Sequence, residues 1–224
     1  MRAVLFDMDG VLVDVSFSYR LTIKKVVEHF LNRTISFSQI QDYKNRGGLN
    51  CDWDLTEKIL EEHGARVNKQ RIIDLFQRIY LGNNFDGLIR NEKWLLDVHI
   101  LQKIMNHFKT GIVTGRPREE AVYVLQRFSV QDYFSVLITR DEVPQGKAKP
   151  DPYSIKLAMK QLCANEAYYI GDNIDDMIAA QRASVFAVGI ISRGVEDGNQ
   201  REMLLNSGAQ LVLKNVDDIL EVLG

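Results

Sequence analysis

Short apolar runs alternate with helix-length amphipathic stretches over most of the chain. Ala3 to Phe6, Gly111 to Thr114, Val136 to Thr139, Tyr168 to Gly171, Val185 to Ile190 and Gln210 to Leu213 are brief, and most lack a period of two. That pattern suits strands buried on both faces, as in a parallel sheet. Between them, Arg118 to Phe128, Asp151 to Leu162 and Asp175 to Ala183 read as helices, and Asn215 to Leu223 as a closing helix. Strand and helix alternating at this spacing predict an α/β fold built on a Rossmann-like open parallel sheet.

One region breaks the alternation. From Ser16 to Asn91 the pattern is helical throughout. Leu21, Val26, Val27, Phe30 and Leu31 share one helix face; Leu55, Ile59 and Leu60 mark a second, and Ile72, Leu75, Phe76 and Ile79 a third. Gly47, Gly48, Gly64, Gly82 and Gly87 punctuate it as turns or helix stops. The expected organisation is an α/β core over 1–15 and 92–224, interrupted by an all-helical cap over 16–91.

Composition removes several function classes. A formal charge of -2 over 224 residues, with no basic stripe, carries no nucleic-acid footprint. Cys51 and Cys163 are far apart and form no CxxC, so neither a metal knuckle nor a disulfide framework is indicated. No run approaches the roughly 18 apolar residues of a membrane span. Asp7 arrives too early for a signal-peptide core. The expectation is a soluble cytoplasmic protein.

The polar residues at the strand ends supply the chemistry. In an open parallel sheet, ligands collect outside the carboxyl ends of the strands. "FDMDGVLVD" places Asp7 and Asp9 there, "TGIVTG" Thr114, "KAKPDP" Lys149 and "YYIGDNIDD" Asp172. Free aspartates titrate near ~3.9, so two of them two positions apart repel unless a cation joins them or one keeps a proton. A hard divalent ion such as Mg2+ takes oxygen ligands, which Asp7 and Asp172 would supply, leaving Asp9 to exchange a proton.

The neighbouring residues refine this picture. Pro117 is expected to open the next helix, with Arg116 at the cap and Thr114 too early to cap it, so the threonine hydroxyl is available to a ligand oxygen. Arg116 itself reads equally as a substrate contact and as a surface residue. Pro150 keeps Lys149 out of the helical region and gives its ammonium a defined direction; Asp151 and Pro152 then cap and open a helix. Lys147 lacks that constraint and reads as a solvated charge. Asp175 and Asp176 fall at a helix start, where the dipole favours them, and Asp176 is also placed to orient Lys149 or a metal-bound water.

Together these stretches resemble the haloacid dehalogenase superfamily in its phosphatase branch, the phosphoglycolate phosphatase-like members with a helical cap between the first and second motifs. "DMDGV" is similar to that family's DxDG[TV] motif, Thr114 to its second motif, Lys149 before Pro150 to its third, and Asp172 with Asp176 to its GDxxxD motif. The resemblance implies that Asp7 attacks phosphorus to form an aspartyl-phosphate, and that Asp9 serves as acid and then base. It further implies phosphate binding by Thr114, Gly115 and Lys149, and Mg2+ held by Asp7, the Asp9 carbonyl and Asp172, with Asp176 behind them. Dehalogenase members lack the second aspartate, so Asp9 argues for phosphate esters, whose alkoxide leaving group needs a proton.

The cap is where substrate selection is expected. "DVSFSYR" aims Tyr19 or Arg20 at a leaving group, and "RGGLNCDW" gathers paired glycines, Asn50 and Trp53 in one irregular stretch. The plainer reading is a hinge, and a turn with Trp53 buried in the cap core. Two rivals share part of the pattern. A sugar-phosphate mutase of the same superfamily would return the phosphoryl group to sugar rather than to water. A phosphoaccepting signalling domain also combines Asp, Thr and Lys at strand ends, but its acceptor lies on a middle strand and it carries no large cap.

Overall fold

The structure is a computed structural model that describes residues 1–44, 46, 48–49, 51–193 and 197–223, with the backbone alone at 197 and 198. The chain divides into two compact units. Met1–Val13, Trp94–Ser192 and Glu196–Gly224 form the first; Asp14–Lys93 with Arg193–Val195 form the second.

The strands are β1 (Arg2–Phe6), β2 (Val13–Asp14), β3 (Lys93–Trp94), β4 (Lys109–Val113), β5 (Val136–Ile138), β6 (Glu166–Gly171), β7 (Phe186–Ile190) and β8 (Leu211–Leu213). Among the described residues, six of them make one sheet in the order β5-β4-β1-β6-β7-β8, every pairing parallel. The apolar run Ala3 to Phe6 is wholly buried because β1 lies in the middle, with Phe6 in register with Ile112 on one side and Ile170 on the other. Helices Tyr153–Gln161 and Ile174–Ala183 bring Ile155, Ala158, Met177, Ala179 and Ala180 into a core with Leu5, Val113 and Tyr169. The small side chains of Ala179 and Ala180 let their helix lie close to the strands.

This topology fixes where the strand ends gather. Parallel strands end on one edge, and β1 sits where the chain order reverses, the position at which such sheets bind ligands. The ladder continues one residue past two strands: the Asp7 N–H donates to the Ile170 carbonyl (2.8 Å) and the Thr114 N–H to Ile138 (2.9 Å). Both side chains therefore leave from the very edge of the sheet.

Two departures from the sequence pattern have local causes. The pair β2 and β3 was not predicted, since two residues each are too short to register as apolar runs; the division between units passes through both. The closing segment is a 3-10 helix over Val216–Glu221, tied down where the Asp217 carboxylate accepts the Asp97 N–H (2.8 Å).

The second unit contains helices Tyr19–Leu31, Phe37–Lys44, Asp52–Glu62 and Lys69–Tyr80 and a 3-10 turn at Leu88–Asn91. Ile23, Val26, Val27, Leu55, Ile59, Leu60, Ile72 and Phe76 form its interior. The buried stripe of the first helix is Tyr19, Thr22, Ile23, Val26 and Val27, while Leu21, Phe30 and Leu31 are only half-buried. Gly64 and Gly82 follow two of the helices with φ of +83° and +66°, the left-handed turn that glycine adopts without a steric penalty. Among the described residues, no helix is long and apolar enough to cross a membrane.

Candidate active site

The acidic loop is built by its apolar neighbours. Directly after β1, the Leu12 and Val13 N–H groups donate to the Met8 carbonyl (3.0 and 2.9 Å), and the Gly10 N–H donates to Val13 (2.9 Å). Met8, Val11 and Leu12 are fully buried and anchor this turn, so Asp7 and Asp9 ride on a rigid support. Gly10 has φ +77°, and a Cβ there would lie 1.9 Å from Asp172 Oδ2. Glycine at this position is what admits the Asp172 carboxylate. Gly171 does the same for Asp176, whose Cβ would lie 2.4 Å from an added methyl.

Lys149 joins the acids. Its ammonium donates to Asp7 Oδ1 (3.0 Å) and the Tyr169 hydroxyl (3.1 Å), and pairs with Asp176 Oδ1 (2.7 Å). The Tyr169 hydroxyl donates in turn to Asp176 Oδ1 (3.1 Å). Burial opposes the lysine's charge, but Asp176 and Asp7 more than offset it and hold the ammonium protonated. For Asp7, burial pushes the carboxyl up and Lys149 pulls it down; Asp176, Asp9 and Asp172 add to the upward push, leaving it well above the usual carboxylate range. Burial and Asp176 likewise raise Tyr169, which stays a neutral phenol.

The site thus holds more negative than positive charge, as a cation site does. Ligand oxygens of Asp7, Asp172 and Asp176 lie within 4.8 Å of one another. Asp176 is already occupied: besides Lys149 and Tyr169, its Oδ2 accepts the N–H groups of Asp172 (3.2 Å) and Asn173 (3.4 Å). Asp7 and Asp172 could hold a metal directly, and an all-oxygen set suits a hard divalent ion.

Asp172 is itself held in place. Ser192 Oγ donates to its Oδ2 (2.8 Å), and Gln200 Nε2 donates to its backbone carbonyl and to Ser192 Oγ (both 2.9 Å). The Ser192 N–H closes the ring on Gln200 Oε1 (3.0 Å). Ser192 and Tyr169 were missed in the sequence although a signal existed. Ser192 ends the run Val185 to Ile191 much as Thr114 ends its own, and a tyrosine inside a buried strand needs a partner for its hydroxyl. Gln200 had no such signal.

The second strand end differs in detail from expectation. Helix Arg118–Arg127 begins one residue late, with Pro117 extended at the cap, because Asp141 Oδ2 takes the Arg118 N–H (2.6 Å) from a separate turn. Thr114 Oγ1 accepts the Arg116 N–H (3.2 Å), so the hydroxyl does stabilise the turn while retaining a proton to donate. Gly115 is exposed, with open space where a Cβ would stand. Arg116 is not on the surface: its side chain is 1 % exposed, and Nε donates to Asp9 Oδ1 (2.7 Å), with Nη2 on the same oxygen. Helix Tyr153–Gln161 also starts one residue late; Asp151 Oδ1 caps it by accepting the Tyr153 N–H (2.9 Å), and the exposed Lys147 pairs with Asp151.

Three of the cap residues expected to read the substrate are described, all in the helical unit. Tyr19 is buried, stacked on Tyr80 at 4.1 Å between centroids, and is a core side chain there. Arg20 Nη1 donates to the Arg193 carbonyl (3.2 Å). Trp53 is half-buried in the first turn of helix Asp52–Glu62, so the irregular stretch ends before it; Asp52 and Asp54 in that turn complement the dipole. Asn50 and Gly47 lie outside the described residues.

Comparison with known proteins agrees with this layout. Residues 4–190 match the haloacid dehalogenase-like hydrolases. The chain is 33% identical over 201 residues to the imidazoleglycerol-phosphate dehydratase of Phytophthora nicotianae, covering 86% of this chain but spanning only 44% of that relative. It is 27% identical to the phosphoglycolate phosphatase of Yersinia pestis over 100% of this chain and 94% of that protein. A solved hydrolase from Pseudomonas syringae superposes with a TM-score of 0.75 at 25% identity, covering 100% of this chain and 98% of that one. A four-loop acidic site at the edge of a parallel sheet, and a family match across most of the sequence, lead to one assignment: the chain belongs to the haloacid dehalogenase-like hydrolase family.

Proposed function

We propose that the protein is a Mg2+-dependent phosphatase that hydrolyses a small phosphate monoester through an aspartyl-phosphate on Asp7. The observation that carries this reading is the buried Asp7 carboxylate held by Lys149, with Asp172 beside it. The Yersinia pestis relative, named for a small phosphate ester, supports the substrate class.

In the first step an Asp7 carboxylate oxygen attacks phosphorus while the ester P–O bond breaks. Asp9 gives its proton to the departing alkoxide, which leaves as an alcohol. In the second step water attacks the same phosphorus, Asp9 takes its proton, and the bond to Asp7 breaks, releasing inorganic phosphate. Splitting one displacement into two lowers each barrier. Lys149, the Thr114 hydroxyl and the Gly115 N–H are the donors for the phosphoryl oxygens, and fixed donors of this kind stabilise developing charge. Asp7, Asp172 and the Asp9 carbonyl would hold the Mg2+, which supplies positive charge against the phosphoryl oxygens. Asp176 and Tyr169 keep Lys149 aimed at Asp7.

A screen of metabolite phosphates, with release of inorganic phosphate measured in Mg2+ and again in chelator, tests this. Release that depends on Mg2+ is expected. Release unchanged by chelator would remove the metal, and isomerisation of a sugar phosphate without release would make the protein a mutase. Ser192 provides an independent check on the metal. Loss of a group that orients a metal ligand typically weakens affinity about 10–100-fold. Ser192→Ala is expected to do so in calorimetric titration with Mg2+, because it unties Asp172 Oδ2; unaltered affinity would exclude that role.

A further inference from the structure

Among the described residues, Arg116 is the bulkiest of the fully buried side chains. Removing a guanidinium from water is strongly unfavourable unless it is paired, and the pair here is with Asp9. Two donors, Nε and Nη2, converge on the single oxygen Oδ1. This is the edge of the guanidinium that grips a carboxylate or phosphate two-pronged, so it is not available to a substrate while the pair stands.

The arginine is fixed from its own side as well. Its N–H donates to Thr114 Oγ1 (3.2 Å), its carbonyl accepts the Arg140 N–H (3.0 Å), and Pro117 follows directly. A residue before proline is kept out of the helical region, so helix Arg118–Arg127 cannot extend back to absorb it. The donor pair is therefore preset before any ligand arrives.

We propose that Arg116 is the positioning residue for Asp9: by tethering Oδ1 it fixes the rotation of the carboxyl group and leaves Oδ2 as the oxygen that exchanges protons with the leaving group and the attacking water. The inference rests on the reading of Asp9 as acid and base. Its consequence is specific. An untethered Asp9 presents Oδ2 in the right direction only part of the time. The loss then falls on substrates whose leaving group needs that proton.

The test uses two esters, p-nitrophenyl phosphate and the best alkyl phosphate from the screen. The second-order constant kcat/KM covers the steps through departure of the leaving group, and nitrophenolate departs without help where an alkoxide does not. A general acid contributes typically about 10²–10⁴-fold. Arg116→Met is expected to lose about 10–10²-fold in kcat/KM on the alkyl ester, within that acid contribution, and only a few-fold on the aryl ester. Arg116→Lys, which keeps the charge but not the two-pronged geometry, should fall between wild type and Arg116→Met on the alkyl ester. Asp9→Asn should show the same selectivity, and the double variant should be no worse than Asp9→Asn, because residues acting as one unit are not additive. Equal losses on both esters, or a double variant that loses the product of the single effects, would overturn the tether. If Asp9→Asn alone loses equally on both esters, the acid role of Asp9 fails first, and the inference falls with it. Thermal unfolding of each variant separates these outcomes from loss of fold.

Discussion

Asp7→Asn is expected to lower turnover by about 10³-fold or more, the scale seen when a covalent nucleophile is removed, while leaving the fold intact. The carboxyl is buried and its pKa is raised well above the usual range, chiefly by that burial. The sign of the linkage follows. A carboxyl whose folded pKa lies above its unfolded value gives its full stabilisation when protonated, below the ordinary carboxylate range. That contribution is lost as pH rises through the raised folded value. Asparagine imitates the protonated form at every pH, and Lys149 keeps Asp176 as its partner. In chelator, the variant should therefore melt no lower than wild type at neutral pH, and the gap should shrink as the pH falls. Retained turnover in Asp7→Asn would end the nucleophile assignment; a lower melting temperature at neutral pH would end the account of its charge.

Lys149→Met is expected to be the most destabilising single change in the site. The side chains of Lys149, Asp7 and Asp176 are 4 %, 6 % and 0 % exposed. Removing that ammonium leaves the buried Asp176 carboxylate, and Asp7 whenever it is ionised, without a counter-charge, and breaking a buried pair in this way typically costs about 3–5 kcal/mol. Tyr169 loses a donor as well. Urea unfolding in chelator measures the cost. The double change Lys149→Met with Asp176→Asn should recover part of it, because it removes one stranded charge together with the cation. A loss below about 1 kcal/mol, the range of an exposed pair, would mean that water reaches the cluster and that Lys149 is not the electrostatic centre described above.

The residues in both of these experiments are legible in the sequence, but the ion pairing on which the second depends is not. Asp7 could be singled out because a carboxylate following a buried run has no structural purpose of its own. Lys149 was legible through Pro150, and Asp176 was expected to orient either it or a metal-bound water; its bonds to Tyr169 and Asp7 required the fold. The difference is one of distance along the chain. Lys149 and Asp7 are 142 positions apart, and Arg116 and Asp9 are 107 apart. No local pattern reports such a contact. For Arg116 the consequence was an ambiguity between substrate contact and surface; the structure buries it against Asp9.

The helical unit shows the same limit from the other side. Its helices were legible from the spacing of Val26, Val27, Leu55, Ile59, Ile72 and Phe76, since burial of a helix face imposes a period. Tyr19 looked like a reader of substrate because an aromatic ring at the entrance to a helix fits a recognition residue and a core residue equally well. Packing against Tyr80 and Phe76 chose the core.

The amino-acid sequence by itself determined the parallel sheet, the helical insert and the residues at the strand ends, because each of these depends on periodicity or on immediate neighbours. Tertiary structure alone decided how those residues are paired. Lys149 bridges Asp7 and Asp176, Arg116 holds Asp9, and Ser192 with Gln200 holds Asp172. A buried charge takes whatever counter-charge the fold brings within reach, and that choice is made in space between loops that are remote along the chain.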